Sequence, residues 1–327
     1  MKLWRIICVA TAAELTAGSA IAAALGLLGA VNPWFDVLNQ FAPIWLFGSL
    51  IGGLLMLVFA PAGGDRVAVL GLAGIGVAAG LVVTLPEVLR SIADGLRPRS
   101  GQPALRLVTH NVWIDNIDVP RTIEAILASD PDVVTIQEEP DHFLAGNAGL
   151  LRALPYRVAC PGSDLAIYAR RPPLASGCEV VSRFGRHSRS VAALWARVAA
   201  RDGRPATVMT VHLPWPIPPG PQEAATRGTA ELLGRFAPGD LVLAGDFNCA
   251  PWSFAMRRRD QRFSPLTRRS HAIFSWPARF GRLHVPAALL PIDQVYAGPG
   301  WRSASVERLP RTGSDHYGLA VSLYRDR

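Results

Sequence analysis

Apolar and polar positions divide the chain into two differently patterned pieces that meet near residue 100. Three apolar runs fill the first piece: Leu15 to Val31, with Leu3 to Ala13 ahead of it across Glu14, then Phe41 to Gly64, then Val67 to Pro86. A bilayer core takes ~20 apolar residues at a rise of ~1.5 Å each. The pattern therefore predicts about three transmembrane helices over residues 1–87. Two readings of the first run stand side by side. It is either a retained span or a cleaved secretory signal, since Lys2 and Arg5 form a basic start and small alanines follow Ser19. Glu14 is read as an edge or neutralised carboxylate, or else as a functional intramembrane acid. Residues 88–103, with Gly95, Pro98, Gly101 and Pro103, read as a linker.

From Ala104 the pattern becomes short β-rich runs alternating with amphipathic segments. Strands are predicted at 106–113, 132–138, 165–169, 191–198, 207–213, 240–247, 292–296 and 317–324. A helix is predicted where Ile123, Ile126 and Leu127 share a face, with Asp118 as cap and Pro120 near the first turn, and further helices at 222–236 and around 253–260. Strands interspersed with helices over residues 104–327 predict α/β layers rather than an all-β sandwich.

Half of the 327 residues are hydrophobic and 18% are charged, which excludes a disordered chain and disfavours a purely soluble one. The net charge is +8, and +7 of it falls after residue 100, compatible with a phosphate-bearing partner. Lys2 is the only lysine, so the arginine preference reads as compositional bias. Lys2 and Arg5 favour a cytoplasmic start, and the loop 32–40 holds Asp36 and no cation, which places the C-terminal piece outside the cytoplasm. Arg90, Arg97 and Arg99 argue against this, although long domains translocate largely regardless of charge. No cysteine pair has zinc-site spacing, and Cys160 and Cys178 are a possible disulfide in an oxidising compartment.

Chemistry-bearing residues concentrate where apolar runs begin or end. Asn111, Glu138, His212, Asp246 and Asn248 each close a run, Asp293 lies inside one, and Asp315-His316 opens one. Singly, each is an ordinary turn, cap or core polar group. Together they can converge on one rim of a sheet, where a site is held by rigid elements.

The segments Thr109-His-Asn-Val-Trp113, Ile136-Gln-Glu138, Val211-His-Leu-Pro214, Gly245-Asp-Phe-Asn248, Ile292-Asp-Gln-Val295 and Ser314-Asp-His316 resemble the ordered motif set of the endonuclease/exonuclease/phosphatase superfamily. This is the fold of pancreatic deoxyribonuclease, abasic-site endonucleases, neutral sphingomyelinases and inositol-polyphosphate phosphatases. The apolar N-terminus and Pro251-Trp-Ser253 resemble its membrane-anchored bacterial branch. The resemblance spans residues 104–327 and implies a four-layer α/β/β/α sandwich behind an N-terminal transmembrane segment. The lesion-binding and DNA-clamping insertions of the abasic-site enzymes are not identifiable.

The resemblance also implies a chemistry. Phosphoester hydrolysis needs a divalent cation, a positioned water and charge stabilisation at the phosphoryl group. Mg²⁺, with Mn²⁺ as a substitute, prefers one or two carboxylates. Glu138 is the expected primary ligand, Asn111 supports it through its amide oxygen or a bridging water, and Asp315 is a third candidate. Asp246 would orient or deprotonate the water and Asn248 would hold that water or a phosphate oxygen. His212 and His316 would donate to the phosphate, with Asp293 fixing the tautomer of His316.

Eight arginines between 257 and 282 face one acid, Asp260, and read equally as an anion-binding surface or as a solvated loop. Trp215, Trp252 and Trp276 read as a binding rim or as packing. The expected protein is a multi-pass protein of the bacterial inner membrane whose catalytic domain is extracytoplasmic. Its expected partners are the lipid bilayer and a phosphate ester from nucleic acid, nucleotide or phospholipid headgroup; no protein partner is inferable. The functional alternatives are a nuclease, a phospholipid or small-phosphate hydrolase, and a non-catalytic membrane-tethered binding module.

Overall fold

The computed structural model describes residues 2–96, 101–185 and 189–325, with Arg189 described only in its backbone. Its residues form two compact units, Met1–Arg90 with Ala250–Arg257, and Ser91–Cys249 with Arg258–Arg327.

In the first unit, α1 (Leu3–Leu27) runs unbroken through Glu14. A short α2 (Pro33–Asp36) leads to α3 (Ala42–Phe59) and α4 (Gly64–Gly95). All three apolar segments form helices long and apolar enough to cross a membrane. Small residues let α1 and α3 approach closely. A Cβ on Gly48 would lie 2.2 Å from Ser19 Oγ, and one on Gly52 would lie 2.3 Å from Thr16 Oγ1. The expected linker over 88–103 differs from what forms. Residues 88–95 continue α4, because Pro86 does not stop the helix and the stretch that follows is helix-compatible. Residues 97–100, with Arg97 and Arg99, lie outside the described residues.

The first unit also includes Pro251-Trp-Ser253. Ala250 N–H donates to Gln40 Oε1 at 2.7 Å, and Trp252 Nε1 donates to Asn39 O at 2.6 Å. The Asp36 carboxylate accepts from the N–H groups of Phe254 and Ala255 at 2.9 and 2.6 Å, at the start of a helix (Phe254–Arg262). Trp252 is therefore a buried packing residue rather than part of a rim.

The second unit contains two six-stranded sheets. Its elements run β1 (Leu105–Asn111), α5 (Val119–Leu127), β2 (Val133–Gln137), α6 (Asp141–Gly146), α7 (Ala148–Ala153), β3 (Tyr156–Ala159), β4 (Ala166–Ala169), β5 (Ala175–Phe184), β6 (Arg189–Ala199), β7 (Pro205–His212), α8 (Pro219–Leu233) and β8 (Leu241–Asp246). After the Phe254–Arg262 helix, here α9, come β9 (Thr267–Arg268), β10 (Arg279–Phe280), β11 (Leu283–His284), β12 (Asp293–Ala297), β13 (Ser303–Arg308) and β14 (Leu319–Tyr324). One sheet is ordered β13-β14-β1-β2-β4-β3 and the other β5-β6-β7-β8-β12-β9, while β10 and β11 form a separate hairpin.

Alternation along the central strands builds two layers of core. Leu105, Leu107, Val133, Ile167, Leu194, Val208, Val242 and Val321 pack between the sheets. Val108, Val134 and Ile136, on the opposite face of the first sheet, pack against Ile123 and Ile126 of α5 and Phe143 of α6. Helix α8 buries Ala225, Leu232 and Leu233 and lies against β5 of the other sheet. The result is the expected four-layer α/β/β/α sandwich. Edge strands β3, β5 and β13 were not among the predicted ones, because their half-exposed sequences lack a clean two-residue period. Cys160 and Cys178 form a disulfide with a Cα–Cα distance of 5.4 Å, joining the residue after β3 to the interior of β5, edge strands of different sheets.

Candidate active site

Strand register brings the candidate residues together. β7 pairs in parallel with β8, placing His212 opposite Asp246, and β8 pairs antiparallel with β12, placing Asp246 opposite Asp293. Two neighbouring strands therefore end, and a third begins, in one polar row. In the other sheet β1 and β2 are parallel, with Asn111 opposite Gln137, and the chain leaves β2 at Glu138. Gln137 ties the sheets together here, donating through Nε2 to Thr210 Oγ1 at 2.8 Å. Gly245 allows β7 and β8 to approach, since a Cβ there would lie 2.1 Å from Val211 O. Glu138 and Asn248 both take positive φ, 55° and 46°, a strained conformation for residues with side chains and one that aims each away from its strand.

Asp246 lies at the centre and is buried. Its Oδ2 accepts from Asn111 Nδ2 at 3.0 Å and lies 3.7 Å from Nε2 of both His212 and His316. Its Oδ1 accepts from the Asn248 N–H at 2.8 Å. His316 Nδ1 lies 2.9 Å from Asp293 Oδ2, so the expected Asp293–His316 contact is present. His212 Nδ1 lies 2.6 Å from Asp164 Oδ2. Asp164 was not among the residues singled out from sequence, yet it opens the β4 run just as Asp315 opens the β14 run. The same strand-end signal was available for it.

Of the two roles expected of Asn111, direct ligation through the amide oxygen differs from the contacts its side chain makes. Its Nδ2 bridges Glu138 Oε1 and Asp246 Oδ2, both at 3.0 Å, while its Oδ1 accepts from the Trp113 N–H at 2.9 Å. Two carboxylates need a donor and the backbone N–H needs an acceptor, so the network fixes this amide orientation. Glu138 Oε2 accepts from the Ile114 N–H at 3.0 Å. Asp315 Oδ2 accepts from Trp276 Nε1 at 3.1 Å. Asn248 Nδ2 donates to Leu213 O at 2.9 Å. Among the described residues, the acids and histidines close enough to share one ion are Asp246, Asp293 and His316, a different trio from Glu138, Asn111 and Asp315. One oxygen of that trio, Asp293 Oδ2, is already engaged by the His316 ring.

The electrostatics follow from burial and crowding. Burial raises the pKa of Asp246, His316 opposes the rise and Asp293 adds to it, giving about 6. Burial disfavours a charged His316, but the Asp293 and Asp246 charges and the Asp293 hydrogen bond outweigh it and raise its pKa to about 10. Burial likewise opposes a charge on His212, and the Asp164 hydrogen bond with the Asp246, Asp164 and Glu138 charges raises it to about 9. Burial lifts the Asp315 carboxyl above its ordinary value despite the pull of His316. At neutral pH the site thus holds two imidazolium donors around a carboxylate poised to exchange a proton.

A divalent cation fits this donor set. Five carboxylates (Glu138, Asp164, Asp246, Asp293, Asp315) face two imidazoles, leaving excess negative charge even with both rings protonated. Among the described residues, buried Asn248 Oδ1, Asp293 Oδ1 and Asp315 Oδ1 have no hydrogen-bond partner. Buried acceptors without donors, in a site of surplus negative charge, match a hard cation with oxygen ligands.

Seven of the eight 257–282 arginines separate into two groups. Arg257 donates to the Val82 and Val83 carbonyls, and Arg259 is buried over the Phe247 ring. Arg262 pairs with Glu223, Arg268 with Asp260 and Arg269 with Asp94. These side chains serve structure, whereas Arg279 and Arg282 line an open cleft. Of the tryptophans, Trp215 is half-exposed and stacks edge-on against Trp276, with ring centroids 5.4 Å apart, beside Asp315.

A family model described as Endonuclease/Exonuclease/phosphatase family matches residues 108–316. Among solved structures, an endonuclease/exonuclease/phosphatase family protein from Bacteroides thetaiotaomicron superposes with a TM-score of 0.55 at 17% identity, covering 69% of this chain and 97% of its own. The mannosyl-6-phosphatase of the same organism gives 0.52 at 17% identity, covering 67% and 99%. D. rerio TDP2, in complex with a single-strand DNA product, gives 0.53 at 18% identity, covering 67% and 98%. At these identities the likeness concerns the fold. Sequence comparison with curated proteins gives no match.

Proposed function

Because this chain belongs to the endonuclease/exonuclease/phosphatase family, we propose that it is a membrane-anchored, Mg²⁺-dependent phosphoesterase that directs water onto a phosphodiester or phosphomonoester. The observation that carries this reading is the position of one Asp246 oxygen, 3.7 Å from the Nε2 atoms of two histidines that are each braced by a further carboxylate. Such an arrangement places a proton acceptor between two cationic donors, which is what attack of water on an anionic phosphoester requires. Fold neighbours whose names include a mannosyl-6-phosphatase and a DNA-product complex are consistent with phosphoester chemistry.

In this reading Asp246 accepts the proton of the attacking water, and Asn248 holds that water through its free Oδ1. His212 and His316 donate to the phosphoryl oxygens as charge accumulates there. Asp164 and Asp293 orient the two rings and hold them in the protonated, donating form. Glu138 and Asp315, whose Oδ1 has no donor among the described residues, are the residues that would hold Mg²⁺ or Mn²⁺, with Asn111 fixing the Glu138 carboxylate from beside it. Asp246, Asp293 and His316 also lie close enough to share an ion, but serve proton transfer in this reading, Asp293 being engaged by the His316 ring. The bound cation supplies neutralisation of the phosphoryl charge.

The three apolar helices anchor the enzyme in the bacterial inner membrane, with the catalytic unit extracytoplasmic. Asp36, in the segment between the first two spans, binds residues 254–255, so both lie on one side of the bilayer. The Cys160–Cys178 disulfide favours an oxidising side.

The test is turnover of bis-p-nitrophenyl phosphate and p-nitrophenyl phosphate by the full chain in detergent, with and without EDTA. Hydrolysis abolished by EDTA and restored by Mg²⁺ supports the reading. Hydrolysis that survives full chelation contradicts the metal dependence, and none with any divalent ion contradicts the enzyme.

A further inference from the structure

Beside the site, on the far wall of the segment that carries Asp315 and His316, lies a cleft of about 900 Å³ lined by five arginines: Arg121, Arg279, Arg282, Arg308 and Arg311. His284 is also in the wall, and Asp118 is the one acid among the lining residues. The Asp118 carboxylate is engaged in capping α5, accepting from the Arg121 N–H at 3.1 Å. Like charges gathered at this density repel one another unless an anion joins them. The five arginines come from three separate stretches of chain, so the cluster was invisible to a reading of local charge runs.

Arg279 shows that the cluster is a formed site rather than a solvated face. It is 4% exposed, and Nη2 lies 2.9 Å from His284 Nε2. Among the described residues, its buried Nε and Nη1 have no hydrogen-bond partner. Burial, reinforced by the Arg311 charge, holds its pKa below the ordinary guanidinium value. Two buried N–H groups of a guanidinium left without an acceptor are costly, and an oxyanion in the adjoining cleft would offset the charge they share. Arg311 is held in place by donating to Tyr317 Oη through Nε and Nη2, at 3.1 and 2.9 Å. The β10–β11 hairpin pairs Arg279 with His284 and Phe280 with Leu283 across its strands.

The cleft adjoins the catalytic residues through shared backbone. Ala278 N–H donates to Asp315 O at 2.6 Å, Tyr317 follows His316 directly, and Thr312 Oγ1 lies 3.3 Å from His110 Nε2. We propose that this cleft is a second oxyanion subsite, which takes a terminal phosphate carried by the substrate beside the phosphoester that is cleaved. The substrate class is then a small molecule or lipid headgroup bearing at least one additional phosphate monoester. A converging set of guanidiniums suits a dianionic monoester, and the volume suits a small-molecule group. A nucleic-acid backbone would instead call for a groove that tracks successive diesters. The inference rests on the phosphoesterase reading for what happens next door, but its test reads binding alone.

The experiment titrates inorganic phosphate into the full chain in detergent micelles and metal-free buffer, followed by calorimetry. Saturable binding is expected, weakened about tenfold or more in Arg121→Gln/Arg282→Gln, which removes two charge-assisted contacts. Both side chains are exposed, so the variant is expected to keep the wild-type thermal midpoint. Asp246→Asn should retain the binding, which separates it from the catalytic residues. Competition by micelles containing phosphatidic acid, but not phosphatidylcholine alone, identifies a lipid headgroup as the source. Phosphate binding without such competition identifies a soluble phosphate ester; both outcomes support the subsite. Absence of saturable binding, binding indifferent to the arginine substitutions, or equal displacement by an oligonucleotide lacking terminal phosphate overturns it. Binding without any ester hydrolysis would sink the phosphoesterase reading alone, and hydrolysis without binding would sink the subsite alone.

Discussion

His212 Nδ1 stands 2.6 Å from Asp164 Oδ2, mirroring on the other side of Asp246 the 2.9 Å contact between His316 and Asp293. Each imidazole is thereby oriented with Nε2 toward the same central carboxylate. The Asp164 hydrogen bond is the largest influence favouring the charged ring of His212. The pH–rate profile should be bell-shaped, rising as Asp246 loses its proton near 6 and falling as His212 loses its own near 9. Asp164→Asn should lower kcat by about ten- to a hundredfold, as loss of an orienting carboxylate commonly does. It should also move the alkaline limb to lower pH. A profile with an unmoved alkaline limb would remove Asp164 from the account.

Asp293 and Glu138 are assigned opposite duties, and a Mg²⁺ titration distinguishes them. Asp293→Asn should depress turnover at every Mg²⁺ concentration, because an amide can hold the wrong tautomer of His316. The equivalent change in a Ser-His-Asp triad costs ~10⁴ in kcat, and a smaller loss is expected here, where His212 still donates. Glu138→Gln should raise the Mg²⁺ concentration needed for half-maximal rate and recover partly at high Mg²⁺. Rescue of Asp293→Asn but not Glu138→Gln would exchange the two roles.

His110, fully buried beneath the site, makes stability sensitive to acid. Burial, helped by the nearby His316 charge and opposed by Asp293, lowers its pKa from 6.5 to about 4. The unfolded chain therefore takes up this proton first as pH falls. Stability attributable to a neutral His110 is complete above 6.5, is lost progressively down to about 4, and amounts to about 3 kcal/mol. Thermal midpoints measured from pH 7 to 4 should fall less steeply in His110→Gln than in the wild type. Equal slopes would show that His110 does not set this sensitivity.

The Cys160–Cys178 bridge closes a loop across a sequence separation of 18 and joins both sheets at their edge. A loop of this length corresponds to about 3 kcal/mol in the chain-entropy account. Dithiothreitol should therefore lower the thermal midpoint of the wild type and leave Cys160→Ser/Cys178→Ser unaffected. An unchanged wild-type midpoint would argue that the bridge contributes nothing to stability.

The sequence made the site more legible than its surroundings, for a physical reason. Asn111, Glu138, His212 and Asp246 end apolar strands, and parallel pairing of β1 with β2 and of β7 with β8 turns strand ends into a shared rim. Local pattern therefore carried long-range information. Asp164 obeyed the same rule at the opposite end of a strand, where it was overlooked. Arg259, Arg268 and Arg269 are buried against partners that meet them only on folding, so much of a charge run that looked like a surface became internal pairing. The arginine cleft is the converse case, since Arg121, Arg279 and Arg308 meet only after folding. Edge strand β5 was missed because exposure on both faces erases the alternation that marks a half-buried strand.

The most direct measurement compares turnover of bis-p-nitrophenyl phosphate by the wild-type chain with that of Asp246→Asn and His316→Gln, at pH 7.5 and saturating Mg²⁺. The account predicts wild-type hydrolysis that falls by about 10²- to 10⁴-fold in each variant, the range for a lost general acid or base, with thermal midpoints near that of the wild type. Variants that are stable and turn over at the wild-type rate would contradict it.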